Sequence, residues 1–229
     1  MLRHQFRHTL DELRDQIITM GSYVREQLRI AMKALETLDV ETSRQVSDID
    51  REVNRLRFEI EERCFVIIAT EAPTASDLRL IFAATNMIVD LERMGDQAKG
   101  IAKAARKLKK EPTITRPAEL FQMGTLVAAM LDDALRAYAE TDIETSRQIA
   151  DRDEEVDTIY ANVFTQIMYM LARTDDPQRV RVTYSLLRTA RELERFGDLV
   201  SNFAERSIYL ATGELPYEAR HRTEPNVDD

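Results

Sequence analysis

The segment DVETSRQVSDID at residues 39–50 returns as DIETSRQIADRD at residues 142–153, with eight of its twelve positions identical. The same offset of 103 residues pairs Met20 with Met123. A repeat of this length and spacing, covering both halves of the chain, indicates that one structural unit occurs twice. The sequence therefore predicts a duplicated fold.

A second pair of strings extends the duplication. LERMGDQ at residues 91–97 returns as LERFGDL at 193–199, now at an offset of 102. The deletion of one residue in a connecting loop accounts for the change of offset. We therefore divide the chain into a first unit at residues 1–112, a second unit at 113–215 and a flexible C-terminal tail at 216–229.

Between the prolines lie long stretches of helix-forming residues, with apolar residues spaced three and four apart. They predict six helices, near residues 6–38, 41–70, 75–110, 118–140, 144–173 and 178–212. Asp39 and Asp142 are the expected N-caps of the second and fifth helices. Helices of this length must pack lengthwise to bury their apolar sides. We therefore predict an all-α fold of two tandem three-helix bundles related by internal duplication.

Composition excludes several classes of protein. The 229 residues carry a net charge of -9, which argues against a nucleic-acid partner, because phosphate backbones favour clustered Lys and Arg. The longest apolar stretch, Cys64 to Ala69, is too short to span a bilayer, and the opening residues lack the apolar core of a secretory signal. A single cysteine fits a reducing compartment. We expect a cytoplasmic protein that does not insert into membranes.

The repeated acidic residues are the candidate functional groups. Glu92 and Asp96 lie four residues apart and so share one helix face. The corresponding pair is Glu194 and Asp198. The second helix of each unit carries a similar pair, Asp50 with Asn54 in the first unit and Asp153 with Asp157 in the second. If these helices pack with the pairs facing, four oxygen-bearing groups converge, and a bound cation relieves their repulsion. The alternative is a solvated helix face that the duplication copied.

Glycine interrupts both acidic motifs, at Gly95 and Gly197. Each costs about 1 kcal/mol relative to alanine inside a helix. A close approach by a neighbouring helix or by a metal cluster explains why no side chain is present at these positions.

The candidate ligands are all oxygens, which favours hard ions such as magnesium, manganese or iron. The three histidines lie near the chain termini, which weakens a di-iron oxidase interpretation. No glycine-rich phosphate loop or nucleophile elbow is present, and a metal-dependent hydrolase would lack a general base distinct from its ligands. Cys64 lies in an apolar helix and is expected in the core. We therefore expect no enzymatic activity. The basic residues of 99–110 are expected to oppose a helix dipole, with docking of an anion as the alternative.

Four segments resemble the PhoU family, the accessory proteins of the phosphate-specific transport system. They are LDELRDQIITMGSYV at 10–24, DLRLIFAATNMIVDLERMGDQAKGIAK at 77–103, LLRTARELERFGDLVSNFAER at 186–206 and YLATGELP at 209–216. The resemblance implies an all-helical homodimer that binds multinuclear clusters of iron or other divalent ions. It also implies a negative regulator of phosphate uptake and of the starvation response, with the Pst transporter ATPase and a PhoR-type histidine kinase as partners.

Carried over to this chain, the family's metal ligands fall on eight positions. They are Asp50, Asn54, Glu92 and Asp96 in the first bundle, and Asp153, Asp157, Glu194 and Asp198 in the second. The ion is left open among iron, manganese, zinc and magnesium. Asn54 replaces an acid that Asp157 retains, so the first cluster is expected to bind fewer or weaker ions. A helical scaffold without functional metal, and a carboxylate-metal hydrolase, are the alternative functions.

Overall fold

The computed structural model describes residues 2–214, with side chains for residues 5–149 and 151–214. The described chain is helical and contains no strand. Its six helices are α1 (Leu2–Thr37), α2 (Val40–Glu71), α3 (Ala75–Leu108), α4 (Ala118–Glu140), α5 (Ile143–Ala172) and α6 (Pro177–Thr212). The all-α prediction is confirmed, while the predicted tail at 216–229 lies outside the described residues.

The ends of the helices follow local chemistry. Asp39 accepts a hydrogen bond from the backbone N–H of Glu41, at 2.9 Å, and Asp142 accepts one from that of Thr145, at 3.1 Å. Both predicted N-caps are confirmed. Pro177 is the first residue of α6 and not a breaker before it, because proline lacks only an N–H that is unpaired in the first helical turn.

The first helix begins at Leu2, earlier than the predicted start near residue 6. Nothing in the first residues stops a helix, since neither proline nor glycine occurs before Gly21. The buried apolar residues of α1 alternate in steps of three and four, the spacing of a seam between packed helices. They include Leu10, Leu13, Ile17, Met20, Val24, Leu28, Ala31 and Leu35.

The helices form two bundles, α1 to α3 and α4 to α6, and every pair of helices within a bundle is in contact. The bundles meet along α3 and α6, and also along α1 and α4. Their buried apolar residues form one continuous cluster. Arg14 of α1 crosses this boundary, stacking over the Tyr138 ring at 5.1 Å and donating to the Tyr138 carbonyl at 2.8 Å. The predicted units therefore share a core.

None of the helices within residues 2–214 combines the length and the apolar character needed to cross a bilayer.

Candidate metal centre

The second bundle brings its four predicted acids together between α5 and α6. Asp153 and Asp157 lie one turn apart on α5, and Glu194 and Asp198 lie one turn apart on α6. The pKa of Asp153 is raised to about 6, chiefly by burial and also by the neighbouring charges of Asp198 and Asp157. This mutual repulsion places the four carboxylates in one electrostatic cluster.

Glu194 and Asp198 of this cluster respond in the same way. Burial raises the pKa of Glu194, and the charges of Asp198 and Asp157 add to the effect. Burial and the Asp157 charge likewise raise the pKa of Asp198. Arg191 and Arg195 lower the Glu194 pKa, and Arg195 also lowers that of Asp198, but neither shift is reversed. Each of the three acids thus holds its proton more tightly than it would in water.

Arginines lie near the cluster, but no described basic side chain forms an ion pair with its carboxylates. Among the described side chains, no Lys, Arg or His nitrogen lies within 4.0 Å of any of the four carboxylates. Asp153 Oδ1 is buried and accepts no hydrogen bond of normal geometry from a described group, although the nearby Ser201 hydroxyl lowers the pKa of this carboxyl. A buried anionic oxygen without a partner is costly, and a divalent cation would satisfy it. These residues fit the hard ion that the sequence predicts.

In the structure as it stands, no three His, Cys, Asp or Glu side chains of the described residues are close enough together to hold one ion. Asp157 and Asp198 are exposed and Asp153 and Glu194 half-buried, so the cluster opens to solvent. Carboxylates on exposed helix faces rotate readily. A bound ion would therefore require these side chains to turn toward one another.

The glycines in the acidic motifs are explained by close approaches of neighbouring helices. A Cβ at Gly197 would lie 3.2 Å from Asp153 Oδ1, and a Cβ at Gly95 would lie 2.8 Å from Gln27 Oε1. The first distance is tight and the second is a clash. The missing side chain at Gly197 therefore leaves room for the Asp153 carboxylate.

The first bundle places its acids differently. Asp50 is 5% exposed and forms an ion pair with the Lys99 ammonium group of α3. Gln27 Nε2 of α1 lies 3.5 Å from Asp50 Oδ1 and donates to it at the limit of hydrogen bonding. A buried carboxylate that is paired and hydrogen-bonded needs no further cation. Asp50 is therefore compensated by the chain itself, unlike Asp153.

The remaining first-bundle candidates also lack an open cluster. Glu92 faces the Arg57 guanidinium group, with 3.7 Å between Glu92 Oε2 and Arg57 Nε. Asn54 Nδ2 donates to the Asp50 backbone carbonyl at 2.8 Å, so its amide is tied to its own helix. Asp96 is exposed on α3. The structure thus gathers the predicted acids of the second bundle and distributes those of the first among internal partners.

Three residues that the sequence analysis did not select are essential to this difference: Gln27, Arg57 and Lys99. The repeat alignment contained a signal for them, because their counterparts in the second bundle are Met130, Tyr160 and Ser201. Each replacement removes a charge or a polar donor from the second site. Comparison of non-identical positions around the motif would have found them.

Two other sequence expectations concern single residues or runs. Cys64 is 1% exposed and burial raises the pKa of its thiol to about 11, so its predicted place in the core is confirmed. Arg106 and Lys107 occupy the last turn of α3, as expected for cations opposing the helix dipole. Beside them is a depression of about 360 Å³ lined in part by Lys103, Lys110 and Arg188. Docking of an anion there stays a prediction.

Comparison with known proteins places this geometry in a family. The family model for the PhoU domain matches residues 17–105 and again residues 120–207. The phosphate-specific transport system accessory protein PhoU homolog of Clostridium acetobutylicum is 34% identical over 214 residues, which cover 93% of this chain and 97% of the relative. The accessory protein PhoU of Escherichia coli is 34% identical over 211 residues, covering 92% of this chain and 86% of the relative.

Solved structures agree with this placement. The crystal structure of PhoU from Pseudomonas aeruginosa superposes with a TM-score of 0.86 at 32% identity, covering 91% of this chain and 100% of the other. That of the phosphate transport system regulatory protein PhoU from Streptococcus pneumoniae gives 0.84 at 33% identity, covering 92% and 98%. Both matches extend across the two bundles.

Proposed function

The chain belongs to the PhoU family, and from this premise we propose that it is a regulatory accessory protein of phosphate transport. The observation that carries the proposal is the double family match, because residues 17–105 and 120–207 coincide with the two bundles. The relatives named above are accessory or regulatory proteins of phosphate transport systems. For this chain we infer the same kind of regulatory role, without catalysis of its own.

In the finer form of the proposal, the protein restrains phosphate uptake and the starvation response. It acts in the cytoplasm as a homodimer, contacting the Pst transporter ATPase and a PhoR-type sensor histidine kinase. The net charge of -9 and the absence of a bilayer-spanning helix within residues 2–214 are compatible with this placement. The phosphate signal reaches the protein through the transporter, because the sequence has no anion-binding glycine-rich loop.

The metal part of the proposal concerns the second bundle. The ion would be held through carboxylate oxygens by Asp153, Asp157, Glu194 and Asp198. Iron, manganese, zinc and magnesium are the candidate ions, and oxygen ligands favour the harder ones. When bound, the ion supplies positive charge that neutralises the cluster and ties α5 to α6. The chain's own residues provide the ligand and the space for the ion, since Asp153 presents a buried oxygen without a normal hydrogen bond and Gly197 leaves space beside it.

A metal-independent scaffold is the second candidate function, and one observation favours it for half of the molecule. In the first bundle Asp50 and Glu92 face Lys99 and Arg57, so that bundle needs no ion for electrostatic balance. A hydrolase receives no such support. Neither the second cluster nor its described neighbours include a histidine that could serve as a general base.

Deletion of the gene tests the regulatory role. In phosphate-rich medium, a phosphate-starvation reporter should become active in the deletion strain and silent again when the wild-type gene is returned. Glu194→Gln combined with Asp198→Asn should fail to silence it if the second cluster acts through metal. The matched control, Glu92→Gln with Asp96→Asn, changes the corresponding acids of the first bundle and should restore silence.

Two outcomes would contradict parts of this proposal. A reporter that stays silent in the deletion strain would remove the regulatory role. Full restoration by the Glu194→Gln, Asp198→Asn variant would leave that role in place and favour the metal-independent scaffold.

A further inference from the structure

The two bundles differ at the centre of their acidic sites, although their helices and motifs correspond. We propose that the Lys99 ammonium group is a built-in cation of the first bundle, where it substitutes for a metal ion. The first bundle then takes no metal, and the second is the only metal-responsive half of the molecule. This inference rests on the proposed function for the location of the metal in the second bundle.

The ion pair between Lys99 and Asp50 is the first observation that supports this inference. Asp50 corresponds to Asp153, which is the acid with the unpartnered oxygen in the second bundle. In the first bundle the equivalent carboxylate is covered by the Lys99 ammonium group from the adjacent helix. The Lys99 side chain is 30% exposed and that of Asp50 is 7% exposed, so the pair seals the inner end of the site. A metal ion would have to displace the lysine from the carboxylate it needs as a ligand.

The position of Lys99 in the repeat is the second supporting observation. At the offset of 102 that aligns the LER-GD strings, Lys99 corresponds to Ser201. Ser201 is 4% exposed, and its neutral hydroxyl interacts with the Asp153 carboxyl and lowers its pKa. One replacement in the repeat therefore exchanges a fixed cation for a small neutral side chain. The same helix position faces the same acid in both bundles.

Charge in the surrounding positions changes in the same direction. The first bundle combines the acids Asp50, Glu92 and Asp96 with the bases Arg57 and Lys99. At the corresponding positions the second bundle has the four acids Asp153, Asp157, Glu194 and Asp198, with the neutral Tyr160 and Ser201. Removal of one acid and addition of two bases leaves little net negative charge to attract a divalent ion. These residues thus give the first site a formal charge of -1, from three acids and two bases, and the second a formal charge of -4, from four acids.

Neutral hydrogen-bond donors also stabilise the Asp50 carboxylate in the first bundle. Gln27 on α1 is fully buried, and its Nε2 donates to the Val46 carbonyl at 3.4 Å as well as toward Asp50. Its counterpart in the second bundle is Met130, which offers no donor. The first site is therefore filled by donors on two neighbouring helices, α1 and α3. Such donors stabilise the Asp50 carboxylate without an ion, although Gln27 Oε1 itself accepts no hydrogen bond from any described group.

A reciprocal exchange between the bundles tests the inference. Lys99→Ser with Asn54→Asp gives the first bundle the residues of the second at these two positions, and Ser201→Lys with Asp157→Asn does the reverse, while Gln27 and Arg57 stay unchanged. Each protein is stripped with EDTA, incubated with Mn²⁺ or Zn²⁺, desalted and analysed for metal per chain. We expect the first variant to bind metal in both bundles, so that its metal content per chain is about twice that of the wild type. We expect the second to lose the wild-type metal.

A conservative variant covers the case in which an exchanged protein does not fold. Glu92→Gln with Asp96→Asn preserves side-chain shape in the first bundle, and its metal content should equal that of the wild type. Thermal unfolding followed by circular dichroism gives a second readout. Added metal should raise the midpoint of the wild type and of the Lys99→Ser, Asn54→Asp variant, but not that of Ser201→Lys, Asp157→Asn.

The outcomes separate this inference from the proposed function. If the wild type binds no metal and the Lys99→Ser, Asn54→Asp variant does, the proposed metal site of the second bundle is wrong, but the role of Lys99 is supported. Loss of wild-type metal on Glu92→Gln, Asp96→Asn would overturn the inference, because the first bundle would then bind metal despite Lys99. A folded Lys99→Ser, Asn54→Asp variant that gains no metal would also overturn it.

Discussion

Replacing Asp153 with asparagine should stabilise the metal-free protein at neutral pH. Asparagine keeps the shape of the side chain and removes the charge that Asp198, Asp157 and burial oppose. Because these effects raise the pKa of Asp153, the folded state binds its proton more tightly than the unfolded chain does. The stability associated with that proton is present at low pH and is lost as the pH rises through about 6.

The size of the effect follows from the pKa. A rise from 3.8 to about 6 corresponds to about 3 kcal/mol at most between folded and unfolded states. The cluster is open to water, which screens the repulsion, so we expect Asp153→Asn to add about 1–2 kcal/mol to the free energy of unfolding near pH 7.5. Near pH 4.5 the folded-state carboxyl is already protonated, and the gain should shrink to about a third of that value.

Urea unfolding followed by circular dichroism, in EDTA at the two pH values, measures this difference. The matched control is Asp50→Asn, which removes the corresponding carboxylate of the first bundle. Since Asp50 is paired with Lys99, we expect this change to lower the free energy of unfolding by about 1–3 kcal/mol near pH 7.5. The two asparagine variants should therefore shift the unfolding midpoint in opposite directions.

A clear result would refute this reasoning. If Asp153→Asn destabilises the metal-free protein near pH 7.5 as Asp50→Asn does, the Asp153 carboxylate has a compensating partner, and the raised pKa is wrong. Added Mn²⁺ gives a further check, because an ion bound in the second bundle would stabilise the wild type and reverse the order of the wild type and Asp153→Asn.

Three substitutions and one labelling reaction test the packing and the capping of the helices. Gly95→Ala should lower the free energy of unfolding by about 1–2 kcal/mol in urea titrations, because the new methyl group clashes with buried Gln27. Gly197→Ala should change it by less than about 1 kcal/mol. Equal effects of the two substitutions would contradict the difference in contacts. Asp142→Ala should lower the thermal midpoint, since an N-cap contributes about 1 kcal/mol, and an unchanged midpoint would count against the cap. Cys64 should react slowly with a thiol reagent in the native protein and rapidly in urea, because burial raises its pKa to about 11; fast native labelling would disprove its burial.

The helices could be predicted because their signals are local. Proline positions, the Asp39 and Asp142 caps and the three-to-four spacing of apolar residues act within a few turns of the same chain. The one clear error, at the start of α1, came from requiring a start signal where the residues simply allow a helix. Boundaries that lack a cap or a breaker are the least determined by neighbouring residues.

The positions of the acidic residues could be predicted from the repeat, whereas their role as metal ligands stays a prediction. The repeat identified all eight acidic or amide positions, and the structure brings the four of the second bundle into one cluster. In the first bundle it assigns Asp50 and Glu92 to internal partners instead. These partners are distant in the chain, since Lys99 lies 49 residues from Asp50. No spacing rule connects residues on different helices.

The sequence by itself determined the class of fold, the duplication and the residues on each acidic helix face, because helix periodicity and repeats are properties of the chain order. Only the tertiary structure decided which charges are compensated. Packing α1 and α3 against α2 places Gln27 and Lys99 at Asp50, while packing α6 against α5 leaves Asp153 facing other carboxylates. The free energy of a buried charge depends on groups a few ångströms away in space, and the relative positions of the helices determine which groups those are.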